Sequence, residues 1–375
     1  MYGEHFTDLW EGSINMNNRE RVNAVIAGSD YDICPSQVDF TPAQIETLCH
    51  AKDMTEDQLM IYSGNCIKYV NSLGNVEEYF NKDVHDDAMK QFALDCGFAR
   101  IDEEKQLVYD VFGVGWNLNS EGVSADYHPL ENLDEYSQYH WPVPTDNRMM
   151  RYGQKTVEKY RDQYYLLGFQ HIGLFERSWC LRGYENFMCD IMLEPDFVEE
   201  ILDHILAYKL AEAKMYIELG VDAVRLGDDW GLQKGLQIRP ELWREFIKPR
   251  QEKLYAFYRE AGLPTFQHSC GDIMDIIPDL IEIGLDVLHP IQPLSMDINS
   301  LSERFGDKLV LWGGIDTQEV LPFYTAQAIT DEVKRVFKIL GKNKKYIIAP
   351  SQEVMSDVPL ENVIALIDGI NACKM

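Results

Sequence analysis

From Pro195 onward the apolar residues alternate between two spacings. EPDFVEEILDHILAYKLAEAKMYIELG carries them in three- and four-residue steps, with Pro195 at its start and Gly220 at its stop. That pattern predicts a helix. VDAVRL follows as a short apolar run, then the polar GDDWG. The alternation repeats four more times. PELWREFIKPRQEKLYAFYREAG leads to PTFQ and HSCG. DIMDIIPDLIEIG, a helix limited by Pro278, leads to LDVLHP and IQP. MDINSLSERFG leads to KLVLW and GGID. TAQAITDEVKRVFKILG leads to KYIIAP and SQEVMSDVP, and ENVIALIDGI follows as the last helix.

The short runs are apolar on both faces, as parallel strands covered by helices are. Strict alternation of strand and helix gives a parallel sheet. Earlier candidates at DICPSQVDF, KQLVYDVFG and YYLLGFQHIGLF bring the strands to eight. The pattern predicts an α/β fold, a (β/α)8 TIM barrel, over residues 31–375. A doubly wound open sheet is the alternative, but the chain lacks a GxGxxG fingerprint after a strand. Residues 1–30 read as an N-terminal extension whose helix, RERVNAVIAG, is capped by Asn17 or Asn18. The Asn-, Ser-, Pro- and Tyr-rich stretch at about 116–150 reads as a loop excursion.

Charge narrows the partners. The net charge is −28, from 34 basic and 62 acidic residues. Nucleic acid needs clustered Lys and Arg, so it is excluded, and an anionic membrane surface is disfavoured. The first residues show neither a basic nor an apolar signal region, and no apolar run reaches the length of a membrane span. The eight cysteines are scattered without a CxxC pair, the pattern of reduced thiols in a cytoplasmic protein. A homodimer is the common expectation for such a chain.

Barrel chemistry sits on the loops after the strands. Here those loops carry Asp228 and Asp229, His268 and Cys270, Gln292, Asp316, and Gln352 with Glu353. In an extended segment residues i and i+2 point the same way, so His268 and Cys270 can reach one ion. Imidazole nitrogen and thiolate sulfur suit Zn²⁺, which needs about three protein ligands at a catalytic site. Glu353 is the carboxylate best placed to be the third. Asp228 and Asp229 cannot both face one pocket in an extended chain. One of the pair serves as a cap, and the other is the candidate acid or substrate anchor. Trp230, Gln292 and Gln352 are candidate substrate contacts.

RERVNAVIAG, GVDAVRLGDDWG, FQHSCGDIMDIIPDLIEIGLDVLHPIQP, WGGIDTQEVLP and DVPLENVIALID together resemble the uroporphyrinogen decarboxylase superfamily, over nearly the whole chain. Within it, the chain is most similar to the corrinoid-dependent methyltransferase branch. That resemblance implies a (β/α)8 barrel, zinc held by an HxC motif and a later cysteine, and a separate corrinoid (cobalamin-binding) protein as partner. His268 and Cys270 match the HxC motif. Gln352 lies where the later cysteine falls, so Glu353 is expected to take its part. The arginine motif of the decarboxylases, RxAGR, has no counterpart in ICPSQVDFT. The resemblance therefore implies an O-demethylase type of methyltransferase acting on a small methoxylated, aromatic methyl donor. A decarboxylase and a methylcorrinoid:thiol methyltransferase are the alternatives.

Overall fold

The computed structural model describes residues 16–80, 86–119 and 124–373. Strand β1 (Ile67–Asn71) comes first. An antiparallel excursion follows, of β2 (Arg100–Asp102), β3 (Leu107–Tyr109), β4 (Gly115–Asn117) and β5 (Ala125–Tyr127). Then come β6 (Tyr165–Gln170), β7 (Ala223–Gly227), β8 (Thr265–His268), β9 (Val287–Ile291), β10 (Val310–Ile315) and β11 (Tyr346–Pro350). β1 and β6 to β11 form one parallel sheet in that order, with a helix after nearly every strand.

The sheet curls until its two edges meet across Pro35–Gln37. Ser36 bridges to Asn65, just before β1, and to Ile348 in β11. The Cys66 N–H donates to the Ser36 carbonyl at 2.9 Å, and the Ile348 N–H to the Pro35 carbonyl at 3.0 Å. DICPSQVDF is thus the eighth stave, shortened because Pro35 has no N–H to give. The (β/α)8 architecture is the observed fold.

One strand assignment is corrected. KQLVYDVFG forms β3, inside the antiparallel sheet between β2 and β4, not a barrel strand. β1, IKYVN, takes that place beside β6. Lys68 and Asn71 interrupt its apolar pattern, which hides it, whereas Leu107, Val108 and Tyr109 are all buried and read as a core strand. Pro278 opens the helix Ile277–Glu282 and does not end one, because the first turn of a helix has no use for its missing N–H.

The N-terminal helix Asn18–Ala27 starts in a capping box of Asn17 and Glu20. The expected long helix runs from Pro195 to Leu219 and stops at Gly220. Inside the barrel, Phe266 packs edge-on to Trp312, with Tyr165 beside it. Each such buried side chain contributes roughly 1.5–3 kcal/mol. Among the described residues no helix is long and apolar enough to cross a membrane.

Candidate metal centre

β8 ends at His268, and the next N–H, of Ser269, still donates to the His289 carbonyl at 2.9 Å. Ser269 turns away from His268 and Cys270 and is buried; its Oγ accepts the Trp230 N–H at 2.9 Å. Gly271 follows at φ 82°, and a Cβ there would lie 2.4 Å from the Gly231 carbonyl carbon. The two glycines let the loops after β7 and β8 touch backbone to backbone, and the Asp272 N–H donates to the Leu232 carbonyl at 2.8 Å. That contact brings Asp229 beside the HxC motif. Its Oδ1 accepts the Cys270 N–H at 2.8 Å and lies 3.5 Å from His268 Nε2. His268 Nε2 lies 3.5 Å from Cys270 Sγ.

A nitrogen, a sulfur and an oxygen donor thus lie within 4.8 Å of one another. Zinc–ligand bonds of about 2.0–2.3 Å in a tetrahedron give donor–donor edges of about 3.3–3.8 Å. Both 3.5 Å separations fall in that range. The donor set fits Zn²⁺ with one position left open. The proton states suit it as well. Burial, reinforced by Arg225 and His171, outweighs Asp229 and holds the His268 pKa down to about 4, so the imidazole is the neutral, ligating form. Burial first, then Asp229, pushes the Cys270 thiol up. A cation reverses that preference by taking the proton's place. The Gln352 amide already donates to Cys270 Sγ at 2.9 Å.

His268 is steadied from behind. Its Nδ1 lies 2.9 Å from Nδ1 of His289, on β9. The His289 ring packs against Trp312, centroids 4.4 Å apart. With His268 Nε2 aimed at the donor cluster, the proton of the pair belongs on His268 Nδ1, with His289 accepting.

The other expected residues are placed differently. Asp228 is buried and caps the helix Leu174–Arg182: its carboxylate accepts the Phe175 and Glu176 N–H groups at 3.0 and 2.8 Å. A Cβ on Gly173 would lie 2.4 Å from Asp228 Cβ, so only glycine admits this cap. Trp230 is buried, donates its indole N–H to Asp228 at 2.9 Å and packs edge-on to Trp243. Asp316 also serves backbone, accepting the Glu319 and Val320 N–H groups. Gln292 accepts the Gly271 N–H at 2.6 Å and so braces the motif's loop. Glu353 lies outside the donor cluster. It reaches solvent at the barrel mouth, yet burial first, then Asp39 and Glu78, lifts its pKa to about 7. Asp229 stands beside His268 and Cys270 where Glu353 was expected.

Four rim residues were not read from the sequence. His289 and Arg225 lie within strands. His171 follows β6, with Nδ1 3.2 Å from Glu77 and 2.6 Å from Glu78. Glu176 lies in the first turn of the helix that Asp228 caps; burial first, then Asp229 and Asp228, lifts its pKa to about 8. A polar residue directly after an apolar run, as in GFQH, was the available signal for His171.

The uroporphyrinogen decarboxylase (URO-D) family model matches residues 107–373. The chain belongs to the uroporphyrinogen decarboxylase family. Among curated relatives, the methylcobamide:CoM methyltransferase MtaA of Methanosarcina barkeri is 25% identical over 183 residues, 49% of this chain and 51% of that protein. The uroporphyrinogen decarboxylase of Thermus thermophilus is 28% identical over 174 residues, 44% and 47% of the two chains. This family member therefore spans about half the length of the curated relatives it matches. A solved methyltransferase from Methanosarcina mazei shares its fold, with a TM-score of 0.65 at 18% identity over 95% of this chain and 98% of the other.

Proposed function

We propose that this member of the family is a zinc-dependent methyltransferase that moves a methyl group from a methoxylated aromatic compound to a separate corrinoid protein. The triangle of Asp229, His268 and Cys270 carries the reading, because its three different donors have the spacing of a zinc site with an open position. Asp229, His268 and Cys270 would hold the ion, which would supply Lewis-acid charge to an ether oxygen that leaves as phenolate. A corrinoid partner docked over the mouth would supply the nucleophile that accepts the methyl group.

The chain's own residues do the rest. Gln352 and the Cys270 N–H hold the thiolate and Asp229 in place. His289 holds His268 in one tautomer. Glu176, whose carboxyl is pushed up by burial and by Asp229 and Asp228, is the candidate proton donor to the departing oxygen. A thiol acceptor is the second reading, supported by the relative named as a methylcobamide:CoM methyltransferase.

The test is elemental analysis of the purified protein and of Cys270→Ala, with methyl transfer to a corrinoid protein assayed alongside. About one zinc per chain, lost in the variant together with transfer, is expected. Transfer that survives complete removal of zinc overturns the reading. Chelator-resistant release of CO2 from a carboxylated substrate would replace it with a decarboxylase.

A further inference from the structure

Arg225 is the middle residue of β7. Its guanidinium carbon lies 4.2 Å from the ring centre of Phe169 and 4.8 Å from that of Tyr69. One amino group donates to the Tyr69 hydroxyl at 3.2 Å. Nε is buried with no hydrogen-bond partner. Among the described residues, no carboxylate lies within 4.0 Å of this cation. Leaving such an N–H unpaired costs free energy that an incoming anion would recover.

The carboxylates around it are mostly committed. Asp39 accepts the Tyr69 hydroxyl at 2.8 Å and the Gln37 amide at 2.7 Å. Glu78 holds His171 at 2.6 Å. Among the described residues Glu353 has no such partner, which makes it the rival that could swing onto Arg225. Two residues on and on the same face of β7, Gly227 pairs with His268 of β8. Arg225 therefore shares the barrel interior with His268, its guanidinium held against two tilted aromatic rings whose centres are 6.0 Å apart. In a chain of net charge −28, a cation in the mouth is a local exception that a small anion can use.

We propose that Arg225 recognises a carboxylate or sulfonate on the small substrate whose reacting end meets Asp229, His268 and Cys270. The guanidinium, held against Phe169 and Tyr69, takes the anion, and the rest of the substrate extends from it toward the donor triangle. The inference rests on the methyl-transfer reading for what happens at the other end. The anion belongs either to the methyl donor or to a thiol acceptor, and the test separates these sources.

The zinc-loaded full chain is titrated by calorimetry with the three methoxybenzoate isomers, with methoxybenzene as their uncharged counterpart, and with 3-mercaptopropionate beside uncharged 1-propanethiol. The variants are Arg225→Gln, Arg225→Lys and Glu353→Gln. In the wild type an anionic probe binds about 10- to 100-fold more tightly than its uncharged counterpart. Arg225→Gln abolishes that preference, Arg225→Lys keeps part of it, and Glu353→Gln leaves it in place. Preference for a methoxybenzoate assigns the anion to the donor; preference for 3-mercaptopropionate alone assigns it to the acceptor. No charge preference in the wild type overturns the proposal. So does an equal loss of charged and uncharged probes in Arg225→Gln, which marks Arg225 as structural. Should Arg225→Gln not fold, the graded loss in Arg225→Lys decides. Methyl transfer is measured in parallel. Transfer without charge preference removes the anion site alone; charge preference without zinc-dependent transfer removes the methyl-transfer reading alone.

Discussion

His268 and His289 face each other through their Nδ1 atoms at 2.9 Å, so one proton serves both. If that proton fixes His268 as a metal ligand, His289 is a positioning residue. His289→Ala is expected to weaken zinc binding about 10- to 100-fold while the protein stays folded. His289→Gln, which retains an acceptor, should lose less. Competition with a chromogenic chelator reads the affinity, and circular dichroism checks the fold. Unchanged affinity in His289→Ala would assign the pair to packing alone.

The third ligand is tested by two carboxamides. Asp229→Asn should release zinc and abolish methyl transfer, because an amide oxygen carries no charge to offset the ion. Glu353→Gln should keep about one zinc per chain. The opposite result would return the third position to Glu353 and make Asp229 a brace for the Cys270 backbone.

Asp228 predicts stability, not chemistry. Asp228→Ala strands two helix N–H groups and the Trp230 indole in a buried place. A loss of ~2–4 kcal/mol is expected in denaturant unfolding. Zinc content per folded chain should hold. A variant with full stability and no transfer would instead make Asp228 catalytic.

His171 predicts a pH dependence. Burial opposes its charged form, but Glu78 and Glu77 outweigh burial and lift its pKa from 6.5 to about 10. The folded protein holds this proton more tightly than the unfolded chain. Its stabilisation is complete below about pH 6.5 and is lost as pH rises through 10. Between these values the wild type should lose unfolding free energy more steeply than His171→Gln. Parallel pH profiles in denaturant titrations would refute the assignment.

The barrel was legible because its later strands are short apolar runs between helices that stop at glycine. β1 was not, since Lys68 and Asn71 break its pattern, and β3 misled because the excursion has its own buried face. The pairing of His268 with Cys270 followed from two-residue periodicity. Asp229 as their neighbour did not. That contact depends on Gly231 meeting Gly271 across 40 residues of chain, and spacing along a sequence carries no measure of such an approach. The same holds for His289, which lies inside a strand and looks like core. Asp228 and Asp229 are alike as letters. What separates them is which one finds two free N–H groups at the start of a helix.

The ring closes through a segment that meets its neighbours at isolated bridges, Ser36 to Asn65 and Ile348 and Phe40 to Val354, whereas β10 and β11 pair over five consecutive residues. Amide exchange over residues 34–40 is expected to outpace that of β10. Two residues past Gln37, Asp39 grips the Tyr69 hydroxyl. Each time this join breathes, an aromatic wall of the mouth is set loose with it. The closing stave and Tyr69 then share one motion, so a molecule held beside Tyr69 would slow exchange on the far side of that hydrogen bond.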